Sequence, residues 1–412
     1  MPKDRPTILQ IIPRLDAGGA ELSVVEVTRA ITRAGGRALV LAEAGRLAPH
    51  VTAAGGEVVA FPAGSKNPAR MLANGFAIAG IIAREGVDLV HARSRAPAWS
   101  ALLGARRAGV PFVTTYHGAY GEANAAKRFY NSVMARGDVV IANSRYTADL
   151  IASRYGTLRE RMVVIHRGVD AAAFDPAQIA PERVAALRTA WGVEPATRVI
   201  LQAARLTAWK GQSVLIDASA RLAREGRLAG TVVVLAGDAQ GRDGYTRALQ
   251  GQITQAGLEG RVRLVGHVED IAAAYLAAHV TVIASTEAEA FGRTAIEAAA
   301  LGCPVVATNI GAPPETVMAE PAAASDDVTG WLVPPGDPGA LARRLAEALE
   351  LVPEARLDLA GRARRHVLAN FTVEAMQQRT LAVYDRLLGT VLERRFSQAD
   401  KPDLATTSPR QS

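Results

Sequence analysis

A single cysteine, Cys303, in 412 residues excludes an intramolecular disulfide and fits a reducing compartment. Aromatic residues make up only 5% of the chain, and no basic run is interleaved with them. Nucleic acid is therefore a poor partner. No histidine, cysteine and aspartate set has the spacing of a metal site, so no protein-bound metal is expected. Long apolar runs are missing too. The region from Met71 to Ala83 is interrupted by Asn74, Gly75 and Gly80 and cannot span a bilayer. The early apolar segment from Thr7 to Pro13 is too short for a signal-peptide core. The expectation is a soluble, cytoplasmic chain that can still rest on a membrane surface.

What is present points to two domains. An apolar fraction of 49% over this length suggests two cores rather than one. Residues 1–190 hold 24 Lys and Arg against 15 Asp and Glu, a net +9, whereas residues 191–412 hold 23 against 25, a net −2. The basic excess lies wholly in the first half, which suits an anionic partner such as phospholipid or a phosphorylated glycolipid, unless it reflects compositional drift.

Short β-branched runs alternate with helical stretches in both halves. The first series is Thr7–Ile12, Arg37–Leu41, Glu57–Phe61, Asp88–Ala92, Pro111–Tyr116, Asp138–Ala142 and Met162–Ile165. The second is Arg198–Ala203, Thr231–Ala236, Arg261–Val265, Val280–Ala284 and Pro304–Thr308. Near-continuous apolar strands separated by helices indicate parallel sheets covered on both faces. The fold class is α/β, with two doubly wound Rossmann-like domains and ligands at the carboxyl ends of the strands. The expected boundaries are 1–180 and 195–371, then one long helix over 372–396 and a disordered tail over 397–412. The proline-bearing stretch from Asp170 to Pro195 reads as the connection between domains, with a helix from Pro181 to Trp191.

The richest segment is Glu289-Ala-Phe-Gly-Arg-Thr-Ala-Ile-Glu297, which leaves one apolar strand and opens a helix. Unpaired N–H groups at a helix start suit a phosphate, and the flanking carboxylates suit sugar hydroxyls. Arg205 and Lys210 follow the first strand of the second half, with Gly211 closing the turn. Two such cations suit a diphosphate leaving group, whose growing charge they stabilise; a solvated surface pair is the competing reading. Gly18-Gly19 follows the first strand, where backbone N–H groups can approach a phosphate, although a plain tight turn accounts for it equally. His117, beside Gly118 at a strand end, is placed to meet a reacting sugar or shuttle a proton, unless it is structural. His91 reads as structural. Loops at Gly237-Asp238 and Gly266-His267-Val-Glu-Asp270 lie at the same sheet end as Arg205, and ordinary turn chemistry explains them as well.

Together these motifs resemble the retaining family-4 glycosyltransferases of GT-B architecture, in which two Rossmann-like domains face each other across a cleft. The resemblance runs from about Thr7 to Tyr384. It includes Gly18-Gly-Ala-Glu21, His117-Gly118, Asn143-Ser144, Gly168-Val-Asp170, Arg205, Lys210-Gly211 and Val265-Gly266. It also includes Glu289 with Glu297, Gly302-Cys-Pro304, Gly311 with Glu315, and Thr329 to Gly336. Within the family, residues 11–21, 90–99 and 114–120 look like the lipopolysaccharide-core mannosyltransferases of alphaproteobacteria.

The resemblance implies a donor site in the second domain. Arg205 and Lys210 would bind the diphosphate, Glu297 the ribose and Glu289 the transferred sugar. Phe291, Gly292 and Thr294 would supply backbone contacts, and His117 with Gly18 and Gly19 would complete the site on closure. Transfer would retain the anomeric configuration by front-face attack, with no metal and no cofactor beyond the donor substrate. Two departures stand out: Arg293 where the family often has an aliphatic residue, and His166-Arg167 where Pro-Asn is common.

The expected function is hexose transfer, first from GDP-mannose, to a lipid-linked acceptor in lipopolysaccharide-core or related envelope glycan synthesis. The enzyme would lie on the inner face of the cytoplasmic membrane, with Lys127, Arg128 and Arg136 facing anionic lipid or the acceptor's phosphates. Rival readings are a UDP-sugar-dependent transferase of the same family, a sugar-nucleotide epimerase, and a non-catalytic nucleotide-sugar-binding subunit.

Overall fold

The computed structural model describes residues 4–16, 18–122, 124–156 and 159–399. The chain divides into two compact units, residues 1–166 with 374–412, and residues 167–373.

The first unit holds a seven-stranded sheet: β1 (Thr7–Arg14), β2 (Arg37–Glu43), β3 (Glu57–Ala60), β4 (Leu89–Ala92), β5 (Phe112–Tyr116), β6 (Val139–Ala142) and β7 (Met162–Val164). Their spatial order is β3-β2-β1-β4-β5-β6-β7, and every pair is parallel. The second unit holds β8 (Arg198–Ala203), β9 (Thr231–Ala236), β10 (Val262–Gly266), β11 (Val280–Ile283), β12 (Val305–Thr308) and β13 (Trp331–Val333), in the order β10-β9-β8-β11-β12-β13. These pairs are parallel as well. Strands buried on both faces explain the unbroken apolar runs, since β4, β5, β6, β9, β11 and β12 are buried at every position.

Strand order reverses between β1 and β4 in one sheet and between β8 and β11 in the other. The crevice at such a switch point is where open α/β sheets receive ligands, because neighbouring loops diverge there. Three close approaches shape the second crevice. A Cβ on Gly211 (φ +71°) would lie 1.9 Å from the Ala284 carbonyl oxygen. One on Gly237 would lie 1.9 Å from that of Ala204, and one on Gly311 (φ +83°) 2.3 Å from that of Glu289.

Three expectations about organisation need correction. The stretch from Asp170 to Pro195 is part of the second unit, because Ile179, Trp191 and Val193 bury themselves in that unit's core with Phe291 and Phe371. The terminal helix is two helices, Val373–Leu388 and Leu392–Gln398. Gly389 takes a left-handed φ of +67°, and the Asp385 carboxylate accepts from the Leu392 and Glu393 amides at 2.7 and 2.9 Å, capping the second helix. Residues 397 and 398 belong to that helix, while residues 400–412 of the expected tail lie outside the described residues.

Candidate active site

The loop after β8 and the loop after β11 flank the switch point of the second sheet, so residues 79 positions apart meet there. Lys210 Nζ donates to Glu289 Oε1 and forms an ion pair with it. Side-chain exposure is 18% for Lys210 and 8% for Glu289, so the pair is largely withdrawn from water. Ser285 Oγ, fully buried, donates to the same Glu289 oxygen at 2.6 Å. Lys210 Nζ also lies 4.3 Å from the centroid of the Trp209 ring. The backbone is fixed around this pair: Gln202 Nε2 donates to the Lys210 carbonyl at 2.6 Å, and Thr286 N to the Trp209 carbonyl at 2.8 Å. Glu289 pairs with Gly311 in an isolated parallel bridge, and Ala312 N donates to the Glu289 carbonyl at 2.9 Å.

Arg205 sits at the carboxyl end of β8 and is exposed, and among the described residues its side chain makes no ion pair or hydrogen bond. A cation held in solvent beside a strand end is ready for an anionic ligand. Its carbonyl accepts from Gln212 Nε2 at 3.0 Å, which fixes the loop.

The helix Arg293–Ala300 begins at Gly292, whose φ of +81° is the left-handed conformation that glycine takes freely. Phe291 turns inward, 3% exposed, and meets Phe371 edge-on at 5.9 Å between centroids, so any donor contact from Phe291 must come from its backbone. Thr294 is half-buried, its hydroxyl 3.5 Å from the Ala203 carbonyl. One turn on, Glu297 accepts from Tyr275 OH at 3.1 Å and from Arg293 Nε at 3.3 Å. The sequence named neither Tyr275 nor Ser285 as a site residue. Tyr275 lies in an alanine-rich helix, Ile271–Ala277, and reads as core.

Two loops at this sheet end are structural. Asp270 caps the Ile271–Ala277 helix through the Ala273 amide and accepts from Arg183 Nε and Nη2, each at 2.8 Å. That guanidinium holds the Asp270 carboxyl below its ordinary range. Asp238 accepts from the Gln240 amide at 2.7 Å in a tight turn.

In the first unit, Gly18 precedes the helix Gly19–Arg33, its carbonyl accepting from Leu22 N at 3.0 Å, and Gly18 and Gly19 are both exposed. His117 follows β5 and is half-buried. His91 is buried between Tyr384 OH at 2.6 Å and Thr115 Oγ1 at 2.7 Å, a structural placement. Burial pushes the Tyr384 hydroxyl up to about 12. Arg93, just past β4 and 3% exposed, donates to Gln10 Oε1 at 2.7 Å and Ser23 Oγ at 3.3 Å.

Lys127 and Arg128 are exposed on the helix Ala125–Ser132, and Arg128 donates to the Arg154 carbonyl. Arg136 lies over the rings of Trp99 and Phe129 at 5.1 and 5.6 Å, and Phe129 is 61% exposed. Among the described residues, no helix is long and apolar enough to cross a membrane.

Residues 17–173 match the model of Glycosyltransferase Family 4, and residues 185–366 match that of Glycosyl transferases group 1. A D-inositol 3-phosphate glycosyltransferase of Xylanimonas cellulosilytica is 32% identical over 366 residues, covering 81% of this chain and 84% of that protein. A glycosyltransferase structure from Rickettsia africae superposes with a TM-score of 0.85 at 32% identity, over 94% of this chain and 100% of that one. Anabaena HepE, solved in complex with UDP-glucose, superposes with a TM-score of 0.79 at 26% identity, over 92% and 100%. The chain therefore belongs to the GT-B glycosyltransferases that join a family 4 domain to a group 1 domain.

Proposed function

We propose that this glycosyltransferase is a retaining, metal-independent hexosyltransferase that uses a nucleoside diphosphate-sugar and a lipid-linked acceptor, with GDP-mannose as first donor. The observation that carries the reading is the Lys210–Glu289 pair at the switch point, with the exposed Arg205 on the adjoining loop. Lys210 is paired with Glu289, which neutralises its charge. A donor diphosphate competes for that ammonium, and Arg205 adds a planar fork. As the bond from the anomeric carbon to the diphosphate oxygen breaks, negative charge builds on the leaving oxygen, where the two cations stabilise it. The acceptor hydroxyl attacks from the same face, and its proton passes to the departing diphosphate. Glu289, released from Lys210 and still held by Ser285, accepts from hydroxyls of the transferred hexose. Glu297 takes the donor ribose, while backbone groups of Phe291, Gly292 and Thr294 meet the donor. His117 is assigned to the reacting sugar, and Gly18 and Gly19 to the donor.

Residues 11–21, 90–99 and 114–120 support mannosyl transfer within lipopolysaccharide-core or related envelope glycan synthesis, through their likeness to enzymes of that class. Such an enzyme works at the inner face of the cytoplasmic membrane, and the basic first unit, with Lys127, Arg128 and Arg136, suits anionic lipid there. A UDP-sugar is the second reading, favoured by the similarity to HepE, which was solved with UDP-glucose. Relatives named for D-inositol 3-phosphate favour a phosphorylated acceptor, which the same basic unit suits.

The test is a panel of GDP-, UDP- and ADP-hexoses incubated with the protein and EDTA, once with membrane extract and once with D-inositol 3-phosphate. Labelled mannose reaching glycolipid with retained configuration is the expected result. Consumption of UDP-sugars alone refutes the mannosyl reading. Turnover of donor with no acceptor present points to an epimerase.

A further inference from the structure

The Glu297 carboxylate is held on both oxygens by the protein itself. Tyr275 OH donates to Oε2 at 3.1 Å, and Arg293 Nε donates to Oε1 at 3.3 Å. Tyr275 is 1% exposed, and burial together with the charge of Glu297 pushes its hydroxyl well above the ordinary tyrosine value, so it stays a donor. Arg293 and Glu297 each keep 16% of their side-chain exposure, so the carboxylate is fixed but not sealed.

An ionised carboxylate offers about four lone-pair directions, two on each oxygen. One internal donor on each oxygen fixes the rotation of the group and leaves one direction free on each. Two free acceptor directions on one rigid, planar group match two adjacent hydroxyls, the pattern of a ribose 2′,3′-diol. An aliphatic residue in place of Arg293 would leave Oε1 with no internal partner and the carboxylate pinned at one end.

We propose that Tyr275 and Arg293 are positioning residues that lock the Glu297 carboxylate for the vicinal diol of the donor's ribose, so that the site selects ribonucleotides over their deoxy counterparts. This rests on the reading of Glu297 as the ribose ligand. A merely structural i,i+4 pair on the Arg293–Ala300 helix would stabilise the fold but would not distinguish one ribose from another.

Calorimetric titration of the full-length protein tests the lock without knowledge of the acceptor. The probes are UDP and GDP, each with its 2′-deoxy and 3′-deoxy analogue. The proteins are the wild type, Tyr275→Phe, Arg293→Leu and Arg293→Lys, with thermal unfolding run alongside. The wild type is expected to bind the better ribonucleotide about tenfold tighter than either deoxy analogue. In Tyr275→Phe and Arg293→Leu, ribonucleotide affinity falls about fivefold to tenfold while deoxy binding stays nearly constant, so discrimination collapses. Arg293→Lys restores part of it. If both variants weaken ribo and deoxy ligands by the same factor, the lock is overturned although Glu297 still reads the ribose. If the wild type itself does not discriminate, the assignment of Glu297 to ribose fails first.

Discussion

Removing Lys210 alone from the Lys210–Glu289 pair should destabilise the second unit more than removing both members. Lys210→Met strands Glu289, whose side chain is 8% exposed, with only Ser285 as a donor. Breaking a buried pair costs about 3–5 kcal/mol. The retained Ser285 hydrogen bond offsets about 1 kcal/mol of that, so a loss of about 2–4 kcal/mol is expected. Glu289→Gln keeps shape and the Ser285 contact, and Lys210, at 18% exposure, can turn toward water. Its cost is about 1 kcal/mol. The double variant has no stranded charge and should cost about 1 kcal/mol in all, giving a coupling of about 2–4 kcal/mol.

At roughly 2–4 °C per kcal/mol for a unit of this size, Lys210→Met lowers the midpoint by about 4–16 °C, and the second change recovers most of it. Tryptophan fluorescence suits the assay, because Trp191, Trp209 and Trp331 lie in the second unit and Trp99 alone in the first. Additive effects within about 0.5 kcal/mol would refute the claim that the two charges depend on each other.

Three further outcomes follow from particular residues. Gly211→Ala places a Cβ 1.9 Å from the Ala284 carbonyl oxygen at φ +71°, so the second unit should lose several degrees of thermal stability or fail to fold, read by the same fluorescence melt. Stability should also fall on acidification below the ordinary histidine value of 6.5 toward about 4, because burial and then the nearby Arg356, Arg188 and Arg198 depress His279 to about 4. A proton bound by the unfolded chain in that window is refused by the fold, so His279→Asn should flatten the fall in pH-dependent melts. Replacing Lys127 and Arg128 with Glu should release the protein from vesicles of anionic phospholipid, at about 1 kcal/mol for each lost charge; unchanged sedimentation with vesicles would sink the membrane reading.

Much of the fold was legible because a strand buried on both faces must be apolar throughout. Every strand from β1 to β12 falls within a few residues of its expected run. Strand β13 was not visible: it spans three residues, Trp331–Val333, between Gly330 and a Pro-Pro pair, and it pairs with β12 alone. The prolines of residues 170–195 suggested a connector, yet prolines govern backbone angles and say little about whether Ile179 and Trp191 will find a core.

At the site, Arg205, Lys210, Glu289 and Glu297 were legible as residues following strands. That Lys210 and Glu289 touch depends on β8 lying beside β11, which no local pattern encodes. Arg293 drew notice in the sequence as a departure from its relatives, but its partner Glu297 and the role of Tyr275 required the side-chain geometry.

The central claim is that Arg205 and Lys210 stabilise a departing nucleoside diphosphate. Its most direct test is the rate of diphosphate release from the preferred nucleotide-sugar by the wild type, Arg205→Gln and Lys210→Met at saturating donor and acceptor. Loss of about a hundredfold to a thousandfold in kcat for Lys210→Met, and a smaller loss for the more exposed Arg205→Gln, is predicted. Wild-type kcat in both variants, with only KM raised, would show that these cations hold the donor equally in ground and transition states and would contradict the account.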